Sequence, residues 1–273
     1  MLGFVVPLRS KSSSNNWAYH SELVFRTLTS ICNQTSKDFI VIVVYTDYPE
    51  RMVENDKVIY LKYPYPFLIS HEITDAGCDT LRYFPKRNLE ILMDQARRTM
   101  VGCKCAIDRG CKYLMEVDAD DLVSNKIAAF VERASNITPP GWFINKGFVY
   151  IEGSKIIYRY TKLNLICGST HIVRADLLNI PDFSSKNYLD YNFFSSHSWI
   201  RIRLRTYKEV EIQPLPFGGI IYVLNPGSWT NISRKFQSTG VKKWAKLLLY
   251  GQRLTYSLKT EYCLEKILTP INT

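Results

Sequence analysis

The chain has 273 residues, 46% of them hydrophobic and 22% charged, which are the proportions of a folded globular protein and argue against wholesale disorder. It is long enough to bury a full core, and no run of roughly eighteen or more apolar residues offers a membrane-spanning helix. The net charge of +10 is uneven: from Trp199 onward twelve Lys/Arg face four Asp/Glu, while the preceding residues are close to neutral. A tail this basic suits an acidic partner such as a phosphate, a nucleic acid or an anionic membrane.

The opening MLGFVVPLRS has no basic residue ahead of its apolar run and reads as a strand rather than a signal peptide. A Ser/Asn-rich loop follows, then an amphipathic helix over Trp17 to Ser30. Phe39 to Tyr45 (FIVIVVY) has the continuous β-branched character of a buried parallel strand and ends in the turn signal Thr46-Asp-Tyr-Pro49. Lys57 to Leu61 is a weaker strand. Asn88 to Arg109 reads as a helix closed by Gly110. Tyr113 to Val117 is the next strand and stops at Asp118-Ala-Asp-Asp121; Asn125 to Ala134 is helical. The alternation predicts an α/β fold, a mostly parallel central sheet flanked by helices. Ligands of such sheets bind at the carboxyl ends of the strands, which points at Arg9, Asp47 and the carboxylates of 118–121.

The second half is less regular. Trp142 to Tyr160 predicts strands or a hairpin turning at Glu152-Gly-Ser154. Ala175 to Leu178 predicts a helical turn, and Tyr188 to Trp199 an aromatic-rich helix. Arg201, Arg203 and Arg205 alternate as on one face of a strand, and Ile220 to Val223 forms another strand. Val241 to Leu258 reads as a basic amphipathic helix carrying Trp244 and Leu247 to Leu249, a composition suited to resting on anionic lipid or to docking on the body. Seven scattered cysteines, an odd number, fit reduced thiols in the cytoplasm.

The strongest chemical signal is CKYLMEVDADDLVS, Cys111 to Ser124. Three carboxylates in four positions repel one another unless a divalent cation relieves them; Mg²⁺ or Mn²⁺ also leaves positions open for substrate phosphates. Alternation places Asp118 and Asp120 on one side and Asp121 differently. Helix capping would need only one of the three.

A strand ending in Asp-x-Asp-Asp about a hundred residues into the chain resembles the metal motif of GT-A fold glycosyltransferases, family 2-like enzymes in particular. Pro7-Leu-Arg-Ser10 after the first strand, FIVIVVYTD at the second, and the run Ala106-Ile-Asp-Arg-Gly-Cys-Lys-Tyr113 are similar to their counterparts in that family. The resemblance covers residues 2–134. It implies a metal-dependent, inverting transfer of a sugar from a UDP- or GDP-linked donor to an acceptor hydroxyl, of hexosyltransferase type, in polysaccharide or glycoconjugate synthesis. On this reading Asp118 approaches the ribose or a metal-bound water, Asp120 ligates Mn²⁺ or Mg²⁺, and Asp121 supports the site or adds a ligand. Pro7, Arg9 and Asp47 frame the nucleotide, and Arg87 or Lys104 neutralises the diphosphate. Gly168 and Ser169 lie near the donor sugar. Asp190 is the candidate base, with Asp182 the alternative; the family usually shows Glu-Asp where this chain has Leu189-Asp190. His197 is a further candidate metal ligand, and His171, Asn225 and Ser228 are weaker site candidates.

The expected organisation is a GT-A catalytic domain over 1–235, with a nucleotide-sugar-binding half at 1–134 and an acceptor-side half at 135–235. A basic C-terminal helical segment at 236–273 would make peripheral contact with the inner membrane face. The acceptor would be a carbohydrate or a lipid-linked glycan, and no nucleic-acid partner is expected. Ser70-His-Glu-Ile-Thr-Asp75 misses the zinc-protease pattern by its last position, and no P-loop, Rossmann glycine fingerprint or G-x-S-x-G elbow is present. Two other readings stay open. A sugar-phosphate nucleotidyltransferase would want a glycine-rich loop after the first strand, and residues 7–15 contain no glycine. A non-enzymatic binder of anionic membrane or nucleic acid would leave the strand-end carboxylates unexplained.

Overall fold

The computed structural model describes residues 1–74, 86–194, 199–224 and 249–265; the side chains of residues 86–88 also lie outside the description. Its first half follows the predicted alternation: β1 (Leu2–Pro7), α1 (Trp17–Cys32), β2 (Phe39–Tyr45), β3 (Val58–Lys62), α2 (Lys86–Asp108), β4 (Tyr113–Glu116), β5 (Leu122–Val123) and α3 (Ile127–Ala134). Asn16 starts α1 by accepting a hydrogen bond from the Tyr19 backbone N–H at 2.9 Å, an N-cap. Gly110 follows α2 with a φ of 82°, the left-handed turn expected there.

Then come β6 (Gly141–Phe143), β7 (Gly147–Ile151), β8 (Ile156–Tyr160), β9 (His171–Arg174), α4 (Ile200–Lys208), β10 (Gln213–Pro214), β11 (Ile220–Leu224), β12 (Gly251–Arg253) and α5 (Tyr256–Tyr262). Among the described residues these strands form two sheets. The larger has the order β10-β6-β9-β4-β1-β2-β3. Neighbours β3, β2, β1 and β4 are parallel, and β9 is antiparallel to both β4 and β6. The smaller has the order β12-β8-β7-β11-β5. The chain leaves the first sheet at Glu116 and joins the second at Leu122, so the acidic segment spans the crossing.

Period-two alternation in β1 and β2 divides the core. Phe4, Val6, Val41 and Val43 pack with Val24 and Leu28 of α1 and Ile127 and Val131 of α3. Val5, Ile42 and Val44 pack with Met93, Ala96 and Met100 of α2 and Ile200 and Leu204 of α4. Helices therefore cover both faces of the larger sheet. None among the described residues is long and apolar enough to cross a membrane.

Three local expectations are corrected. The aromatic run 188–199 is not one helix: Tyr188–Asp190 makes a single 3-10 turn, and α4 begins only at Ile200. Arg201, Arg203 and Arg205 lie on α4 rather than on a strand, because Ile200 and Leu204, one helical turn apart, supply the buried stripe. The C-terminal helical extension expected through Leu258 is interrupted, since Gly251–Arg253 is a strand paired antiparallel with β8; pairing satisfies the free edge of β8, and Gly251 is a poor helix residue. Residues 241–248 of that expected helix lie outside the described residues.

Candidate functional site

The strand order sets the location. From β1 the chain builds outward to β2 and β3, then returns to place β4 on the other side of β1. The crevice at the carboxyl ends of β1 and β4 is therefore a topological switch point, where open α/β sheets bind ligands. Arg9 follows β1 there, and Asp118 follows β4. Asp47 comes two residues after β2 and accepts a hydrogen bond from the Lys11 backbone N–H at 2.7 Å, which ties the loop after β1 to the end of β2. Pro7 is the last residue of β1.

Asp118 and Asp120 are partly open to solvent, whereas Asp121 is fully buried. The Asp118 backbone N–H donates to the Ser169 hydroxyl at 2.8 Å. Gly168 lies against the Asp118 carboxylate so closely that a Cβ there would sit 2.5 Å from Oδ2, which explains why this position carries no side chain. Asp121 turns inward: its Oδ2 accepts from the Ser169 hydroxyl at 2.7 Å and the Cys167 thiol at 3.1 Å, and Oδ1 faces the Val223 backbone N–H at 3.4 Å. Both oxygens are thus engaged by the protein. In this arrangement Asp121 braces the acidic loop against β11 and the 167–169 segment.

The electrostatics follow from this crowding. Enclosure by protein, then repulsion from Asp118, pushes the Asp120 carboxyl up to about 6, with Arg9 pulling the other way. Asp118 is raised by enclosure, opposed by a backbone hydrogen bond from Gly168 and by Arg9. Asp121 is raised well above the usual range by burial, then by Asp120 and Asp118. Arg9 is exposed and forms no hydrogen bond or ion pair among the described residues, so its guanidinium is open to an incoming anion.

Several neighbours were not foreseen. Glu116 is buried and accepts from the Thr99 hydroxyl at 2.8 Å. Burial, then Asp118, pushes its carboxyl up to about 8. Period-two alternation from Asp118 would have found it on the same strand face. Gln95 of α2 approaches both Glu116 and Asp118 at 3.5 Å. Burial, then Glu152, pushes the Tyr19 phenol up to about 12, with Asp120 adding to it. Tyr222 on β11 is raised by burial, then by Asp121. These aromatic groups had no sequence signal, because their placement depends on elements distant in the chain.

The pH consequence of Glu116 has a definite sign. Its folded pKa of about 8 lies above the ordinary 4.5, so its stabilising contribution is fully present below about pH 4.5 and is lost as pH rises through about 8. With chelator present, the melting temperature is expected to fall between about pH 5 and about pH 8, and Glu116→Gln is expected to flatten that slope. An unchanged slope in Glu116→Gln would remove Glu116 as its source.

The remaining expected residues divide. Lys104 pairs with Asp108 at 2.6 Å on an exposed face of α2. It lies in the stretch of α2 where Ala106 meets Gly3, near the amino end of β1 and away from the site. Arg87 starts α2, and its side chain lies outside the described residues, as do His197, Asn225 and Ser228. His171 is buried in β9, with Nδ1 3.2 Å from the Thr170 hydroxyl, and belongs to the sheet interior. Asp190 is exposed and accepts from the Ser185 hydroxyl at 2.5 Å. Asp182 is held low by the backbone N–H and side chain of Ser184, which makes it a weaker base than an unperturbed carboxylate.

A divalent cation fits the chemistry of Asp118 and Asp120, two crowded hard-oxygen donors beside an open cationic side chain. Among the described residues no three His, Cys, Asp or Glu side chains converge to hold a metal, so Asp118 and Asp120 by themselves would fill only part of a coordination shell.

No protein-family model matches the chain, and no curated protein does. Among solved structures, S. aureus TarS 1-349 is similar at a TM-score of 0.41 and 12% identity, over 81% of this chain and 60% of that one. The same fragment in complex with UDP-GlcNAc gives 0.41 and 12%, over 91% and 64%. The longer S. aureus TarS gives 0.36 and 14%, over 90% and 41%. The chain thus spans less than two thirds of each of these neighbours.

Proposed function

We propose that the chain is a GT-A type glycosyltransferase that moves a sugar from a nucleotide-diphosphate donor to an acceptor hydroxyl. One observation carries the reading: the partly open carboxylates of Asp118 and Asp120 stand with Arg9 at the carboxyl-end switch point of a mostly parallel sheet. That is where such a sheet takes a nucleotide.

On this reading Arg9 meets the diphosphate, and Asp47, tied to the Lys11 backbone, holds the loop that frames the nucleoside. Gly168 and Ser169 keep the Asp118 backbone in place and leave room beside its carboxylate for the donor. Asp118 and Asp120 would hold Mn²⁺ or Mg²⁺, which supplies Lewis-acid stabilisation of the leaving diphosphate when bound. Asp190 accepts the acceptor hydroxyl's proton as the bond to the sugar forms from the opposite face, an inverting course. The acceptor would be a carbohydrate or a lipid-linked glycan.

The test is thermal stabilisation by UDP, GDP, ADP and CDP, each with Mn²⁺ and with chelator. One diphosphate should raise the melting temperature by several degrees, and only with the metal. No shift from any nucleotide would sink the reading.

A further inference from the structure

A second cluster of buried polar groups lies beside the first, on a neighbouring face of α2. Gln95 and Thr99 face β4, whereas Asp94, Arg97 and Arg98 face the segment after β3. Arg98 is 4% exposed, pairs with Asp94 at 2.8 Å and lies 4.2 Å over the Tyr63 ring. Arg97 is 5% exposed and lies 4.2 Å over the Tyr65 ring and 5.8 Å from that of Tyr191. It donates to the Phe183 carbonyl but forms no ion pair among the described residues. One buried guanidinium therefore has no paired carboxylate among the described residues.

The orphaned atoms of this cluster are specific: Nε and Nη1 of Arg97, Nη1 of Arg98, the Tyr63 hydroxyl and Oδ1 of Asp94. Most of them are donors. Buried cationic donors without acceptors are costly, and native interiors seldom keep them unless something completes the set. A planar fork with free N–H groups, flanked by aromatic faces, matches the oxygens of a phosphate or a carboxylate.

Position narrows the role. Tyr191 donates to the carbonyls of Asp182 and Ser185, at 3.0 and 2.9 Å, so the cluster braces the loop that presents Asp190. On the other side, α2 reaches Asp118 through Gln95. α2 thus carries the cluster on one face and touches Asp118 from another, while Tyr191 ties the cluster to the 182–190 segment. The half-buried Tyr65 ring, stacked on Phe183 at 5.7 Å, lies over Arg97 and separates it from solvent.

We propose that Arg97 and Arg98, with the Tyr63 hydroxyl, form an oxyanion site separate from the donor diphosphate, which takes a phosphate or carboxylate group carried by the acceptor. The acceptor assignment rests on the glycosyltransferase reading; the oxyanion site itself does not.

The test uses the whole chain without nucleotide. Inorganic phosphate and acetate are titrated separately by calorimetry, and hydrogen exchange is followed in the wild type. Saturable binding of phosphate, or of acetate, is expected, and the better probe identifies the group. Exchange should slow at residues 63–65 and 94–98. Arg97→Gln and Arg97→Lys should each weaken binding at least tenfold, the lysine because it lacks the planar fork. Excess UDP with Mn²⁺ should leave probe binding unchanged. The proposal is overturned if neither probe binds the wild type, if protection appears only around residue 118, if UDP displaces the probe, or if folded Arg97 variants bind as the wild type does. The exchange measurement decides even where both variants fail to fold. Failure here with a positive nucleotide shift leaves the donor reading standing, and the reverse result leaves the oxyanion site standing.

Discussion

Asp120→Asn is expected to lower sugar transfer by roughly 10³-fold, about 4 kcal/mol of transition-state stabilisation, while the protein stays folded. The substitution keeps the shape and removes the charge that would hold a cation against the leaving diphosphate. It should also abolish the metal dependence of nucleotide binding. Stability should move the other way. Enclosure and the neighbouring Asp118 raise the Asp120 carboxyl to about 6, so its ionised form costs folding energy that Asn does not incur. An inactive variant with a slightly higher melting temperature at neutral pH is therefore the signature. Turnover within a fewfold of wild type, or unaltered metal dependence, would place the catalytic charge elsewhere.

The largest expected loss of stability lies at Arg26. Its guanidinium, 5% exposed, pairs with Glu152 at 2.7 Å and donates to the Glu265 carbonyl at 3.2 Å. The pair joins α1 to the β7–β8 turn, and the carbonyl belongs to the segment after α5. Arg26→Leu should destabilise by about 3–5 kcal/mol, because Glu152 is left as a buried charge without its partner. Urea unfolding of the single variants and of Arg26→Leu with Glu152→Leu would measure this. The double variant should recover part of the loss. A single-variant loss below about 1 kcal/mol would mean that solvent reaches the pair.

Much of the fold was readable from hydrophobic pattern. FIVIVVY, the helix before Gly110 and the strand before Asp118 are long or strongly periodic, and each landed within a few residues. In the second half the strands flanking the turn at 152–154, the strand at Ile220 and the helical turn at Ala175 were readable too, whereas the segments 188–199 and 251–258 were not. A three-residue strand such as Gly251–Arg253 has no periodicity of its own and exists because β8 offers an edge. Arg201, Arg203 and Arg205 misled because alternation of charge carries no burial information, whereas Ile200 and Leu204 did.

The site divided along the same line. The places of Asp118, Asp120, Arg9 and Asp47 just beyond strand ends were legible, because loops at strand ends follow from strand order. The place of Lys104 was not, since charge and proximity in sequence do not say which end of a helix lies near the carboxyl ends of the strands. Gln95 and Tyr19 became visible only when distant elements met, whereas Glu116 follows from its alternation with Asp118 on β4.

The crossing between the two sheets has a mechanical consequence. Glu116 is held in one sheet and Leu122 in the other, so the carboxylates between them behave as a short strap under two anchors. Their spacing is dictated by where the sheets sit, and a shift of β11 against β5 would be felt at Asp120 before it reached any ligand. Distant packing changes in the smaller sheet should thus tune the affinity for the proposed cation, and a one-residue insertion in the strap should abolish it.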